Sequence, residues 1–231
     1  MSSHSGIMRV DPLATLAAFG RVAYSELVTI VILSVLFTLV SLPVVTVGSA
    51  LLALVRVLTD SVTGEVTGNP ISERARAAAF LTATRQNVKR GLPLSGLLVV
   101  VGVVTTIYLS AASATRDAAF LLGSLAGLYA LIIAVVWTLR AATLVVRAPE
   151  EQKPSTWGAL RNAAYHLIET PSFTVLHLVC AAVVCLLCVA VQIGVVLLLP
   201  GLLALLEVTT FEETTGEGAL RLVRAYRGEL V

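Results

Sequence analysis

Charged residues are scarce: Asp, Glu, Lys and Arg make up 13% of the 231 residues, where soluble domains carry about a quarter. That shortage excludes a water-facing surface of ordinary size. The net charge is only +2, with basic residues scattered among acidic ones, which excludes nucleic acid as a partner. Cysteine is confined to Cys180, Cys185 and Cys188, all within one apolar stretch. A zinc site takes about four ligands, and no histidine pattern supplies the remainder. Thiols on a single helix are also poorly oriented for a disulfide. The three read as small apolar packing residues, Cys185 and Cys188 on one face. Catalytic signatures are missing too: Gly-x-Ser-x-Gly, His-Glu-x-x-His and Gly-x-x-x-x-Gly-Lys-Ser/Thr do not occur. No nucleophile stands at a recognisable spacing from a base. The expectation is a non-enzymatic protein with no cofactor and no metal.

What the chain has in abundance is apolar residues, 57% of the total, in unbroken runs of Leu, Val, Ala and Ile. Four runs are long enough to cross a hydrocarbon core of about 30 Å, which takes about 20 helical residues. Transmembrane barrels alternate inward and outward over segments of about 10 residues instead. The fold class expected is therefore all-α: a polytopic transmembrane helical bundle forming one integral membrane domain over residues 1–231. The first long run starts near Leu27, behind more than 20 polar and mixed residues. A cleavable signal has an apolar core of about 7–15 residues close to its start. A signal anchor is expected, although Gly48-Ser49-Ala50 imitates a cleavage site.

The stretch Leu39–Leu58 organises the rest. A helix cannot pass unchanged through Pro43, which lacks an N–H and clashes with the preceding turn. The expected first span, 26–42, breaks there, and a shorter apolar helix follows over 44–58, about 22 Å long at helical rise. A disordered lead is expected over 1–10, and a turn or two of amphipathic helix from Asp11-Pro12. A polar loop over 60–70 leads to an amphipathic helix over 71–90, with Ala77, Phe80, Leu81, Thr84 and Val88 on its apolar side. Gly91 and Pro93 introduce the second span, 94–114, and a tight turn at Thr115-Arg116-Asp117 connects it to the third, 118–146. A second amphipathic helix, 155–170, carries Trp157, Leu160, Ala164 and Leu167. The fourth span opens at 173, and its apolar run continues through Gln192, Gly194 and Pro200-Gly201 to 209. A polar tail, 210–231, closes the chain with a short helix over 218–229. The architecture expected is four full spans, two shorter Pro-broken apolar helices and two cytoplasmic interfacial helices.

Basic residues favour the cytoplasmic side of a membrane. Two precede the first span, six lie between Arg56 and Arg90, one is Arg116, four lie between Arg140 and Arg161, and three lie in the tail. With only four crossings, ten lie on one side and six on the other. If both short apolar helices return through the membrane or re-enter it, fifteen of the sixteen share one side. Short helices are tolerated where protein surrounds their ends. The expectation is a cytoplasmic (inner) membrane protein with both termini in the cytoplasm.

Paired broken helices in carriers expose carbonyls and helix ends that hold substrate. On that reading Thr46, Gly48, Ser49, Gln192 and Gly194 form a substrate-binding spot; the plainer alternative is a kink with small residues that permit close packing. His177 and Arg140 are ionisable residues inside apolar runs. A relay would use charges near the midplane, whereas both lie close enough to the basic side to snorkel. Glu207, with Glu212 and Glu213, reads as a solvated boundary. Arg74, Arg85, Lys89 and Arg90 on the first amphipathic helix are expected to contact a partner or lipid headgroups.

Ser41-Leu42-Pro43-Val44-Val45-Thr46-Val47-Gly48-Ser49-Ala50 resembles the YesL-like family of multi-pass membrane proteins, whose first span ends in a similar Leu-Pro and Val/Ile-Thr-Val/Ile-Gly run. Arg85-Gln86-Asn87-Val88-Lys89-Arg90-Gly91 resembles that family's basic stretch, with Val88 where an aromatic is usual. Leu199-Pro200 to Phe211 resembles its apolar, Pro-containing end. The likeness covers most of residues 12–215. It implies a role beside carbohydrate uptake, as an accessory to the permease or ATPase subunits of a sugar transporter, and it assigns no functional residues. The rival reading is a small carrier with its own site at the Pro43–Ser49 break.

Overall fold

The computed structural model describes residues 12–66, 72–149, 154–169 and 171–215. The lead over 1–10 and the tail helix over 218–229 lie outside the described residues. Everything regular within them is helical: α1 (Pro12–Ser25), α2 (Leu27–Val40), α3 (Val47–Val66), α4 (Glu73–Gln86), α5 (Val88–Thr115), α6 (Ala118–Arg147), α7 (Thr156–Glu169), α8 (Pro171–Ala190), α9 (Gly194–Leu197) and α10 (Leu199–Thr215), with a 3-10 turn at Val44–Thr46. Among the described residues, three helical stretches are long and apolar enough to cross a membrane: Val44–Gly64, Val88–Thr115 and Ala118–Arg147. A fourth is reached if α1 and α2, bent by 82° at Ser25–Glu26, count as one broken span. His177–Ala190 and Leu199–Phe211 are shorter apolar helices.

Several boundaries differ from those expected. The shorter apolar helix does not stop at Leu58; α3 continues to Val66, and Val62 of that continuation is buried in the same cluster as Phe80 of α4. Helix α5 starts at Val88 and runs through Pro93. Asn87 is the joint: its N–H donates to the Ala83 carbonyl at 3.0 Å, while its own carbonyl accepts from Gly91 N–H at 2.8 Å. Pro93 then falls within the first two turns, where its missing N–H removes only one ladder bond. The inward face of α4 is also turned from the one expected. Arg76, Phe80, Ala83 and Thr84 are buried, whereas Leu81 is exposed. On α7, Ala159, Leu160 and Ala163 are buried and Trp157 is exposed.

The core is built around α3. Residues 50–55, 57–59, 61 and 62 are buried; the outward positions Arg56, Asp60 and Thr63 recur at helical spacing along one edge. Leu52, Leu54 and Leu58 pack with Phe80 of α4, Leu94 of α5, Leu139 of α6 and Leu205 of α10. The α5–α6 hairpin turns at Arg116, which adopts a left-handed φ of 53°, and Asp117 caps α6 by accepting from Ala119 N–H at 2.9 Å. Its arms approach closely where Gly123 lies under the Tyr108 ring and Gly127 against Thr105. The outer faces of this hairpin, including Val100, Val103, Ile107, Leu121, Leu125 and Ile133, are exposed apolar surface, as a lipid-facing surface requires.

Candidate functional site

Polar chemistry concentrates in four places. The first is the break after α2. Thr46 Oγ1 reaches the Val40 carbonyl and lies 2.8 Å from that of Pro43, and Ser49 Oγ donates to the Thr46 carbonyl at 2.9 Å. Both hydroxyls are thus taken up by backbone carbonyls of the break, that of Pro43 also accepting from Thr46 N–H at 2.7 Å. Gly48 sits against Gly91 of α5 so closely that a Cβ on Gly48 would lie 2.1 Å from the Gly91 carbonyl oxygen. Ser95 fastens the contact: its Oγ accepts from Gly48 N–H and donates to the Val45 carbonyl, both at 2.8 Å. A groove of about 500 Å³ runs beside the break, but Val44, Val47, Leu98, Val99, Val103 and Ile107 make most of its wall. Thr46, Gly48 and Ser49 are not part of it.

Gln192 belongs to the other break, between α8 and α9, where it is exposed and takes a left-handed φ of 53°. Its N–H donates to the Val189 carbonyl at 3.0 Å. Gly194 packs against the Cys188 backbone. Among the described residues no hydrogen bond joins Gln192 to the Pro43 break.

The second place is the bend between α1 and α2. Glu26, at the apex, is buried and accepts from Arg76 Nη1 of α4 at 2.6 Å. Arg76 Nη1 also reaches Thr29 Oγ1 at 2.5 Å and Glu73 Oε1 at 2.9 Å. The Thr29 hydroxyl lies 2.6 Å from Glu26 and 2.9 Å from Glu73, so its single proton can serve either carboxylate. This knot ties α4 to the point where the chain turns.

The third is deeper. Glu207 of α10 is fully buried, with Oε1 2.8 Å from Arg140 Nε of α6 and Oε2 3.6 Å from His177 Nε2 of α8. This corrects the expectation of a solvated boundary at Glu207. A carboxylate that ends an apolar run looks solvated in sequence, but three helices converge on this one. Arg140 does not reach out to headgroups; it turns inward. His177 Nδ1 meets Thr210 Oγ1 at 3.2 Å, and that hydroxyl donates to the Leu206 carbonyl at 2.6 Å. Phe211 then presents its ring to two guanidiniums, Arg140 at 5.7 Å and Arg147 at 5.8 Å.

The fourth is a basic face. Arg74, Arg85, Lys89 and Arg90 are all exposed on α4 and the start of α5. Arg85, Lys89 and Arg90 join Arg56 of α3 around an open groove of about 590 Å³. Sequence reasoning missed Glu26, Arg76 and Arg56 as members of any cluster. The available signal was their isolation as charges at the edges of apolar runs.

No protein-family model, curated protein or solved structure matches this chain. What it does must be read from its own residues. They offer two closed ionic clusters, a closed proline break and one open basic face.

Proposed function

We propose that this chain is a non-enzymatic, multi-pass protein of the cytoplasmic membrane that acts as an accessory or partner component of a solute uptake system, with carbohydrate as the solute. One observation carries the reading. The hydroxyls at the Pro43 break are satisfied by their own backbone and Gly48 is closed against Gly91, whereas Arg74, Arg85, Lys89 and Arg90 stand exposed. Polar groups consumed internally have little left for a sugar; exposed cations are available to a partner. The resemblance to the YesL-like family supports carbohydrate uptake, with permease or ATPase subunits of a transporter as the partner.

The arrangement that goes with this reading has four full spans, two shorter Pro-broken helices that return or re-enter, and α4 and α7 lying at the cytoplasmic interface. Both termini are then cytoplasmic, with fifteen of sixteen basic residues on that side. Single cysteines replacing Ser3 and Ser113, with Cys180, Cys185 and Cys188 removed, test it. Position 113 is expected to label with an impermeant thiol reagent in intact cells, and position 3 only after permeabilisation. Labelling of position 3 in intact cells would rule this topology out.

The function is tested by affinity purification from the native membrane in mild detergent. Transporter subunits are expected at near-stoichiometric yield, and to be lost when Arg85, Lys89 and Arg90 are changed to Glu. Thr46→Ala and Ser49→Ala are expected to leave co-purification and uptake intact, each costing stability of about 1 kcal/mol for the lost hydrogen bond. Purification of the chain alone, together with impaired uptake in those two variants, would favour the carrier.

A further inference from the structure

A groove of about 590 Å³ lies between α5, α6 and α7, within the roughly 300–1,000 Å³ typical of small-ligand sites. Gly96 and Val100 of α5, Trp137 of α6, and Trp157, Arg161 and Ala164 of α7 line it, and its wall is almost wholly apolar. The three helices are fastened around it. Trp137 Nε1 donates to the Leu160 carbonyl at 2.8 Å, which holds the indole against α7. Thr156 Oγ1 donates to the Arg90 carbonyl at 2.9 Å, which ties the start of α7 to the start of α5. Gly96 keeps the groove open: a Cβ there would meet nothing within 4 Å.

We propose that this groove binds an anionic phospholipid, with one acyl chain along Gly96, Val100 and Trp137 and the phosphate against Arg161. Two features of α7 select that occupant. The first is its outer face. Trp157, Tyr165 and Ile168 are exposed at helical spacing, away from the buried Ala159, Leu160 and Ala163. An outward row of aromatic and aliphatic side chains on a short helix suits the membrane interface, where an indole has both an apolar and a polar neighbour.

The second feature is charge. Arg161 follows Trp157 by four residues, so it shares that face, and it is exposed beside the apolar wall. Among the described residues it has no acidic partner. A lone cation at the edge of an apolar groove complements a phospholipid, whose phosphate sits at the end of apolar chains. Guanidinium forks also match phosphate oxygens in geometry. Val100 belongs both to the groove and to the exposed apolar face of the α5–α6 hairpin, so an acyl chain can enter from that face without leaving apolar contact. The proposal needs α7 at a membrane surface and is independent of any transport partner.

Trp137 and Trp157 are the chain's two tryptophans, so its fluorescence reports on this groove. The test titrates the full chain, in a neutral detergent, with phosphatidylglycerol or phosphatidylcholine carrying brominated acyl chains, which quench an indole on contact. Saturable quenching is expected at roughly fivefold lower phosphatidylglycerol than phosphatidylcholine, the preference that one basic residue near an anionic lipid supplies. Arg161→Gln, an exposed change, is expected to bring the two lipids to the same midpoint. Gly96→Leu fills the groove and is expected to remove the saturable quenching by both. Gly102→Leu, at a site on α5 outside this groove and equally free of neighbours, is expected to behave as the parent does. Equal midpoints in the parent, a preference that survives Arg161→Gln, or saturable quenching that survives Gly96→Leu would overturn the proposal. A parent chain that is dimeric in detergent and becomes monomeric in Gly96→Leu would assign the groove to a second copy and overturn it as well.

Discussion

Replacing Glu207 with alanine is expected to destabilise this protein by about 3–5 kcal/mol, because breaking a buried pair leaves an uncompensated charge. Glu207 has no exposed surface, and its partner Arg140 has a side chain only 11% exposed. Without the carboxylate, the Arg140 guanidinium keeps the Phe211 ring but loses its counter-charge, and His177 Nε2 faces an empty space. At about 2–4 °C per kcal/mol for a chain of this length, the melting temperature in detergent should fall by roughly 10 °C. The double variant Glu207→Leu with Arg140→Met separates the two possible causes. An apolar pair of similar volume often matches or exceeds a buried ion pair, so the double variant is expected to recover much of what the single one loses. A Glu207→Ala protein that melts with the parent would show that the carboxylate is not held as described.

Gly48→Ala is the second large effect. The added Cβ would lie 2.1 Å from the Gly91 carbonyl oxygen and 2.8 Å from Ser95 N, both backbone atoms. A flexible side chain could swing aside; two packed helix backbones can only move apart. Separation would break both Ser95 bonds, to Gly48 N–H and to the Val45 carbonyl. The expected cost is at or above the upper end of the ~1–3 kcal/mol usual for overpacking. Gly91→Ala should behave alike, since its Cβ would lie 2.2 Å from Ser49 N. Gly96→Ala and Gly102→Ala provide the contrast. Nothing lies within 4 Å of a Cβ at either site, so they are expected to be neutral or to gain up to about 1 kcal/mol from reduced chain entropy. Monodispersity and melting temperature across the four variants check both signs. Equal behaviour of Gly48→Ala and Gly102→Ala would remove the close helix contact from the account.

Together these expectations place stability on buried contacts between helices. The Glu207 and Glu26 clusters are closed and hold helices in register. The Phe211 ring lies against both Arg147 and Arg140, and Arg140 in turn pairs with Glu207.

Much of this was legible in sequence. Unbroken Leu, Val, Ala and Ile runs with few charges determine a helical membrane class, because apolar length and backbone satisfaction leave a chain few alternatives. Residues of Thr115-Arg116-Asp117 announce a turn between two long helices, since a left-handed position and an N-cap are local requirements. Local chemistry of that kind is carried by neighbours in the chain. Glu207 is different: its partners Arg140 and His177 lie 67 and 30 positions earlier, and no local pattern brings them together. Burial of Arg76 was likewise hidden, because an arginine on an amphipathic helix looks solvated until a buried Glu26 faces it across the α1–α2 bend. The sequence by itself determined the helices, their apolar character and the points where proline interrupts them. Tertiary structure alone decided which charges became partners and which face of α3 stayed open, because Coulomb attraction and packing act on distance in space rather than separation along the chain.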